Sequence, residues 1–433
     1  MHLLDTTDPG FEAAFTALLA MKREDAPDVD ATVADIIADV RARGDAALIE
    51  LTAKFDRLTL TPDRLRFTAE EIETHCATVP AAEREALTLA AERIRAYHIR
   101  QLPEDAEWTD AEGGVLGWRW SAVEAAGLYV PGGLASYPSS VLMNAVPAKV
   151  AGVDRLAVVV PTPDGAINPL VLLACRIAGV DEIYRVGGAQ AVAALAYGTE
   201  TIPPVDKITG PGNAFVAAAK RRVFGKVGID MIAGPSEILV IADSDNDPDM
   251  LALDLMSQAE HDESAQAILI TDDAAFGRRV AEAVETRLRT LARRAIAGAS
   301  WRDFGAVITA RDLAEAATLA NRIAPEHLEI CTADPDALSR RIRNAGALFL
   351  GRWTPEAVGD YVSGPNHVLP TARSARFSSG LSVLDFMKRT TVSKMTPASL
   401  KAIGPAAETL AKSESLEAHG LSVRARLDRL NRE

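Results

Sequence analysis

The sequence predicts an α/β protein with two similar, doubly wound and incomplete Rossmann-like sheet domains, a helical N-terminal arm and a helical C-terminal tail. Short apolar runs alternate with segments of helical periodicity from Gly127 onward, which is typical of parallel sheets covered by helices on both faces. A second block of the same kind runs from about Ser236 to Gly351. The chain has 433 residues, 48% of them hydrophobic, so it can bury more than one core.

The region before Gly127 is predicted to be mainly helical. Residues 1–25 form a short arm with a helix from Phe11 to Met21, ended by the charged residues 22–25. A second helix spans Asp30 to Arg41, because its apolar residues fall on one stripe, namely Val33, Ile36, Ile37 and Val40. Residues 81–101 form a long, charged helix, and the polar stretch from Trp108 to Trp120 predicts a hairpin or a loop.

The first alternating block carries glycine at three strand ends. Its strands are predicted at 127–130, 156–160, 182–186 and 205–209, and the glycines stand in Gly132-Gly133, Gly187-Gly188 and Gly210-Pro211-Gly212. Ligands of such sheets bind beyond the carboxyl ends of the strands, so these loops predict a site that tolerates phosphate groups. The usual dinucleotide fingerprint is incomplete, since Phe215 stands where its third glycine belongs.

The second block is predicted to contain five strands and four helices. The strands are 237–242, 267–271, 306–309, 327–331 and 347–350, and the helices are 250–260, 274–293, 312–323 and 337–344. We expect a substrate cleft between the two blocks. The predicted domains are 1–25, then 26–126 together with 236–381, then 127–235, and a helical tail at 382–433.

Charge and cysteine content narrow the possible functions. A net charge of −14 argues against nucleic acid or an anionic membrane as partner. The basic segment from Thr371 onward is expected to pack on the protein itself or on a sister subunit rather than on RNA. An acidic start and the lack of a long apolar run predict a cytoplasmic protein. Three cysteines without CxxC spacing argue against a cysteine zinc site, and Cys331 lies in a strand pattern, which disfavours a thiolate nucleophile.

Glu326 and His327 are adjacent where a helix pattern meets a strand pattern. Neighbouring side chains of extended backbone point to opposite faces, so the two groups are predicted to do different jobs on one bound molecule. A histidine accepts protons at neutral pH, and a carboxylate in a cleft can activate water. From the dipeptide alone, a solvated junction with a satisfied histidine is the alternative.

Three short polar clusters offer metal ligands. Gln258 and His261 are three residues apart on one helix face, Asp360 and His367 bracket a glycine-punctuated loop, and His419 lies near Glu414 on a helical pattern. Two histidines and an aspartate suit zinc, and a glutamine amide oxygen is a poorer fourth ligand. Because HExxH is absent and the clusters are far apart in sequence, spacing alone leaves the presence of a metal open.

The chain resembles the histidinol dehydrogenase family, which catalyses the last step of histidine biosynthesis, over nearly its whole length. The resemblance rests on seven motifs, which are Leu128-Tyr129-Val130-Pro131-Gly132-Gly133, Arg185-Val186-Gly187-Gly188-Ala189-Gln190-Ala191, Gly210-Pro211-Gly212-Asn213, Ile232-Ala233-Gly234-Pro235-Ser236-Glu237, Ser257-Gln258-Ala259-Glu260-His261, Ala324-Pro325-Glu326-His327-Leu328 and Gly364-Pro365-Asn366-His367-Val368-Leu369-Pro370. Such a combination is highly specific.

This resemblance implies a homodimer with shared active sites, each holding one zinc ion. The implied zinc ligands are Gln258, His261, Asp360 and His419, the last reaching across from the swapped C-terminal tail of the other subunit. Zinc would hold the imidazole and amino nitrogens of the substrate. The implied substrate contacts are these four residues together with Ser236, His327, His367 and Glu414, and the implied NAD contacts are Tyr129, Gln190 and Asn213. Segments 26–126 and 236–381 would carry most of the zinc and catalytic residues, and 127–235 would bind NAD.

The implied reaction is the four-electron oxidation of L-histidinol to L-histidine through L-histidinaldehyde, with two NAD per turnover. His327 would take the proton of the alcohol, and Glu326 would activate water for the aldehyde step. The alternatives are a related zinc and NAD dehydrogenase acting on another diol or amino alcohol, and a zinc hydrolase in which Glu326 activates water without a redox step. Glu414 favours histidinol, because an amine-bearing substrate needs an anion. A binding protein without activity is disfavoured, since every candidate catalytic side chain is present.

Overall fold

The computed structural model describes residues 1–21, 27–132, 137–180, 182–232 and 234–432. The charged residues 22–25 and Gly133, which the sequence analysis placed at the end of the arm and in a ligand loop, lie outside the described residues.

Two parallel sheets organise the described chain. Its strands are β1 His2–Asp5, β2 Ala106–Thr109, β3 Val115–Ala122, β4 Ala125–Tyr129, β5 Arg155–Val159, β6 Glu182–Tyr184, β7 Lys207–Thr209, β8 Gly228–Ile229, β9 Glu237–Ala242, β10 Gln266–Thr271, β11 Ala306–Thr309, β12 His327–Cys331, β13 Ala347–Leu350 and β14 Met387–Lys394. One sheet has the order β6-β5-β4-β7-β8 and the other β1-β11-β10-β9-β12-β13. Strands β9, β10 and β12 are buried throughout, as parallel strands covered on both faces must be. The predicted fold class is confirmed.

Helices cover both faces of each sheet. They are α1 Phe11–Ala20, α2 Pro27–Arg43, α3 Asp45–Asp56, α4 Ala69–Ala77, α5 Ala81–His98, α6 Pro138–Ala151, α7 Pro169–Ala178, α8 Gly188–Tyr197, α9 Ala214–Val223, α10 Pro248–Ala259, α11 Ala274–Leu288, α12 Arg294–Phe304, α13 Leu313–Ile323, α14 Pro335–Ser339, α15 Glu356–Tyr361, α16 Pro397–Ser413 and α17 Glu417–Leu430. Side-chain caps begin several of them; Asp247, for example, accepts the backbone N–H of Asp249 at the start of α10. No helix of the described residues has the length and apolar content needed to cross a membrane.

Helices α2 to α5 pack on the five-stranded sheet, whereas the sequence analysis grouped residues 26–126 with 236–381. Val33, Ile37 and Leu48 share a core with Tyr129 and with helices α8 and α9. On the opposite face, apolar residues of α4 and α5 join a core with α6 and α7. Periodicity identified these helices but contains no information about which of two sheets their apolar stripes cover.

The N-terminal arm and the C-terminal tail both contain a strand that was not predicted. β1 pairs in parallel with β11, and Phe15 of α1 is buried in the core of the six-stranded sheet. β14 pairs antiparallel with β3 over eight residues in a third sheet of order β14-β3-β2. The prediction of a wholly helical tail is therefore wrong for Met387–Lys394. This strand is largely exposed and polar, so it lacks the apolar alternation that marks a half-buried strand.

Two predicted helices also differ. The helix predicted at 274–293 ends at Leu288 as α11, although neither glycine nor proline marks its end at 289–293. The next helix, α12 Arg294–Phe304, was not predicted. The helix predicted at 337–344 is the short α14, Pro335–Ser339.

Candidate active site

Glu326 and His327 lie at the amino end of β12, beside the amino end of β9. His327 is in register with Ile238 of β9 and with Ala347 of β13, and Ser236 is the half-buried residue just before β9. In the six-stranded sheet, the candidate catalytic residues thus gather at the amino ends of the strands, opposite to the usual ligand side of such sheets.

Both side chains hold the backbone of Glu237. The N–H of Glu237 donates to Glu326 Oε2 at 2.9 Å, and His327 Nδ1 donates to the carbonyl of Glu237 at 2.9 Å. Glu326 Oε2 and His327 Nδ1 are consequently 3.6 Å apart, whereas opposite faces were predicted. The reason is local. β12 begins at His327, so Glu326 precedes the strand and does not follow its alternation of faces.

Because Nδ1 of His327 donates its proton to the carbonyl of Glu237, Nε2 is the ring atom that can exchange a proton with a ligand. It lies 3.7 Å from Asp360 Oδ1 and 3.8 Å from Glu356 Oε1, both on α15. His327, Glu356 and Asp360 offer ligand atoms within 4.8 Å of one another, close enough to share a metal ion. Asp360 had been predicted to lie in a loop and lies instead in the last turn of a short helix.

Glu356 was missed by the sequence analysis. Its side chain is almost wholly buried, and Ser257 donates a hydrogen bond to its Oε2 at 3.0 Å. The signal that could have found it is local: Pro355 begins a helix, and Glu356 and Asp360 are four residues apart, on one face of that helix.

Carboxylates dominate the electrostatics of the cluster. Burial alone would lower the pKa of His327, but Glu326, Asp360 and Glu356 outweigh burial and raise that pKa to about 10. Burial and the charge of Asp360 raise the pKa of Glu356 to about 8. Burial opposes ionisation of Asp360, yet the nearby His327 and His367 hold its pKa well below the usual range. The arrangement is an excess of negative charge around one imidazole, which favours a bound cation.

Gln258 faces this cluster from the last turn of α10. His261 faces it from just after that helix, although the two residues were predicted to share one helix face. The amide of Gln258 is buried, and neither its oxygen nor its nitrogen makes a hydrogen bond of normal geometry within the described chain, although the side chain lies close enough to Glu356 to lower its pKa. A buried amide without partners costs about 1–3 kcal/mol, which indicates a missing ligand. Burial lowers the pKa of His261, so its imidazole is neutral and able to bind a metal.

His419 and Glu414 are not brought to this cluster within one chain. Both are exposed, Glu414 just after α16 and His419 on α17, and these two helices pack mainly on each other. Their proposed roles therefore depend on a second subunit.

His367 connects the two sheets. Its Nδ1 donates to the backbone carbonyl of Asp360 at 3.0 Å, and its Nε2 lies 3.4 Å from Ser140 Oγ in the first turn of α6. Burial lowers the pKa of His367, which keeps the ring neutral. Ser140 was not singled out from the sequence, because nothing local to the motif of His367 indicates which helix packs over it.

The three residues implied to contact NAD follow carboxyl ends of the five-stranded sheet. Tyr129 ends β4, and its hydroxyl accepts the N–H of Gly188 at 3.0 Å. Gln190 is buried in the first turn of α8. Asn213 is exposed at the start of α9, where its Oδ1 accepts the N–H groups of Phe215 and Val216. Only the amide nitrogen of Asn213 is then left for a ligand.

All three cysteines are buried and unpaired. Burial and the charge of Glu329 raise the pKa of Cys331, which argues against a thiolate at neutral pH.

Glu329 stabilises the start of α15, the helix that carries Glu356 and Asp360. It is fully buried in β12, and its Oε1 accepts the N–H of Glu356 at 2.7 Å, at the start of α15. Burial and the charge of Asp254 raise its pKa well above the usual value. Glu329 thereby fixes the helix that carries Glu356 and Asp360.

We expect Glu329→Ala to destabilise the protein by about 1–3 kcal/mol or more, because it leaves the N–H of Glu356 buried without a partner. Urea unfolding measures the loss. Glu329→Gln is the matched control, since its amide oxygen can still accept that N–H. If Ala and Gln variants unfold at the same urea concentration, the hydrogen bond to α15 is unimportant.

The chain is similar to known proteins over all of these elements. A family model described as histidinol dehydrogenase matches residues 19–427. The histidinol dehydrogenases of Ruegeria pomeroyi and Cereibacter sphaeroides are 78% and 77% identical over 430 residues, covering 99% of this chain and 99% of each relative. The crystal structure of histidinol dehydrogenase from Elizabethkingia anophelis has a TM-score of 0.94 at 36% identity, covering 100% of this chain and 99% of that chain.

Proposed function

Since the chain belongs to the histidinol dehydrogenase family, we propose that it is an NAD-dependent enzyme that oxidises L-histidinol to L-histidine through L-histidinaldehyde. The observation that carries the proposal is the cluster at the amino end of β12. There a buried carboxylate and a buried imidazole, Glu326 and His327, lie beside a donor set for a metal ion. One site would perform both oxidations, each with its own NAD.

Zinc fits the donor set around His327. Gln258, His261 and Asp360 would offer an amide oxygen, an imidazole nitrogen and a carboxylate oxygen, a mixture that zinc accepts. The family resemblance implies His419 as the fourth ligand, and because His419 is exposed on a helix that packs mainly on α16, we propose that a partner subunit supplies it. A cation here would also offset the carboxylates that raise the pKa of His327, bringing that pKa closer to neutrality. When bound, zinc would grip the amino and imidazole nitrogens of the substrate.

His327 is the proton acceptor for the alcohol. With Nδ1–H donated to Glu237, Nε2 takes the hydroxyl proton as hydride passes to NAD. Asp360 and Glu356 stabilise the imidazolium that results, since their oxygens lie 3.7 and 3.8 Å from Nε2. General-base catalysis of this kind raises the rate by a factor of about 10²–10⁴.

Glu326 activates the water that hydrates the aldehyde, and a second NAD, when bound, would supply the oxidant for the hydrate. Burial raises the pKa of Glu326 to about 7, against the opposing charge of His327, so its carboxylate is a stronger base than an exposed one. Ser236 and His367 stand at the edges of the same cluster and, with Glu414 of the partner subunit, are proposed to contact the substrate. Tyr129, Gln190 and Asn213 are proposed to contact NAD.

The test is NADH formation by zinc-loaded protein supplied with L-histidinol and NAD, followed by absorbance. We expect two NADH per histidinol consumed. Absence of NADH would refute the proposal and favour a zinc hydrolase, and faster turnover of another amino alcohol would favour the related dehydrogenase.

The pH dependence of the aldehyde step follows from Glu326. Its carboxyl must be ionised to accept a proton, so the rate of aldehyde oxidation is expected to rise as the pH increases through about 7 and then to level off. The measurement is kcat/KM for L-histidinaldehyde between about pH 5.5 and 8.5, with samples returned to neutral pH to exclude inactivation. A flat profile in this range would contradict the role of Glu326 as base.

A further inference from the structure

A buried ion pair holds the backbone of Gly210 in the glycine loop at 210–213, through the two peptide groups on either side of its Cα. Lys220 Nζ, on α9, donates to the carbonyl of Gly210 at 2.9 Å. The N–H of the same glycine donates to Asp230 Oδ2, just after β8, at 2.8 Å. Lys220 and Asp230 also form an ion pair, and their side chains are 3% and 1% exposed. Both polar groups of Gly210 are thus bound by one pair of charges.

Burying an ion pair costs free energy, so this pair is a poor way of stabilising the fold. Two charges lose their hydration on burial, and an apolar pair of the same size often stabilises a protein as well or better. A buried pair that binds both backbone polar groups of one residue is better explained by the position that this residue must take. The sequence motifs did not single out Lys220 or Asp230, because both residues lie C-terminal to the loop motif.

The backbone of the loop is tightly constrained at Gly210. Gly210 has φ 110°, and a Cβ there would lie 2.1 Å from the carbonyl oxygen of Tyr129. The loop therefore runs directly against the end of β4, and three residues later Asn213 caps α9 with its Oδ1. Displacement of Gly210 would move Asn213 and the start of α9, and would also disturb Tyr129.

We propose that Lys220 and Asp230 are positioning residues for the cofactor. They hold the backbone of Gly210 so that Asn213 and the start of α9 face NAD. The inference rests on the proposed function, in which this loop contacts NAD. The two charges also balance each other. If Lys220 is removed, an unpaired carboxylate remains beneath a loop that must receive an anionic cofactor, whereas removal of the charge of Asp230 leaves a cation there.

The two single variants are therefore expected to differ. Lys220→Met should weaken NAD binding by about tenfold or more, and Asp230→Asn, which keeps an acceptor for the N–H of Gly210, should weaken it less. The KM for histidinol, the zinc content and kcat at saturating NAD should stay near those of the wild type. NAD affinity is measured by calorimetric titration of the zinc-loaded protein, and KM and kcat by NADH formation.

Arg155→Met is the matched control. Arg155 pairs with Glu182 at 2.6 Å on the same sheet, but at the amino ends of β5 and β6, away from the glycine loops. This variant should lose stability without a specific loss of NAD affinity. If Lys220→Met does not fold, Asp230→Asn decides the question by itself. Its affinity for NAD should fall while its KM for histidinol stays near that of the wild type.

The positioning role is overturned if both variants bind NAD as the wild type does, or if they lose affinity for NAD and histidinol in parallel. It is also overturned if Arg155→Met shows the same selective loss. Failure of the proposed function looks different: the wild-type protein would itself form no NADH from histidinol, whatever its affinity for NAD.

Discussion

Glu326→Gln is expected to reduce the rate of aldehyde oxidation by about 10²–10⁴, with a much smaller effect on oxidation of the alcohol. Gln is nearly isosteric with Glu, and its amide oxygen can still accept the N–H of Glu237, so the backbone at the amino end of β9 stays in place. What is lost is the ability to take a proton from water. Presteady-state NADH formation from histidinol reports the first oxidation, and turnover of supplied L-histidinaldehyde reports the second.

His327→Gln is the matched variant for the other half of the reaction. It removes the Nε2 acceptor next to Asp360 and Glu356, so the first oxidation should be the step that slows. Unchanged zinc content would establish that the donor set is intact in both variants. Equal losses of both steps in Glu326→Gln would refute the division of labour between the two residues.

A randomly paired mixture of the His419→Ala and His261→Ala subunits is expected to recover about a quarter of wild-type activity, although each variant alone is inactive. In a mixed dimer, one site receives the intact His261 of its own subunit and the intact His419 of the partner subunit. The other site lacks both ligands. Random pairing makes half of the dimers mixed, and half of their sites complete.

Co-expression with two different affinity tags isolates the mixed species, and its zinc content should be one ion per dimer. If His419 instead served its own subunit, every site of a mixed dimer would lack one ligand. An isolated mixed dimer without activity or zinc would therefore contradict the exchange of tails. The exposed apolar residues Leu410, Leu416 and Leu421 on or beside the terminal helices are the surface that such an exchange would cover.

The candidate catalytic pair was singled out from the sequence, but its geometry was not predicted. Glu326 and His327 both hydrogen-bond to the backbone of Glu237, which lies far away in the chain, so no local pattern indicates this contact. Glu356 was missed because helix α15 is too short to show periodicity.

What the sequence by itself determined was the set of elements and the chemical groups. Apolar runs predicted β4 to β7 and β9 to β13 of the two parallel sheets, and the sequence motifs supplied Gln258, His261 and Asp360 as candidate metal ligands. Tertiary structure alone decided that α2 to α5 cover the five-stranded sheet, that β14 pairs with β3, and that the cluster forms at the amino ends of β9 and β12. The physical reason is that periodicity encodes which face of an element is buried, whereas the partner that buries it is chosen by packing and hydrogen bonding between segments far apart in the chain.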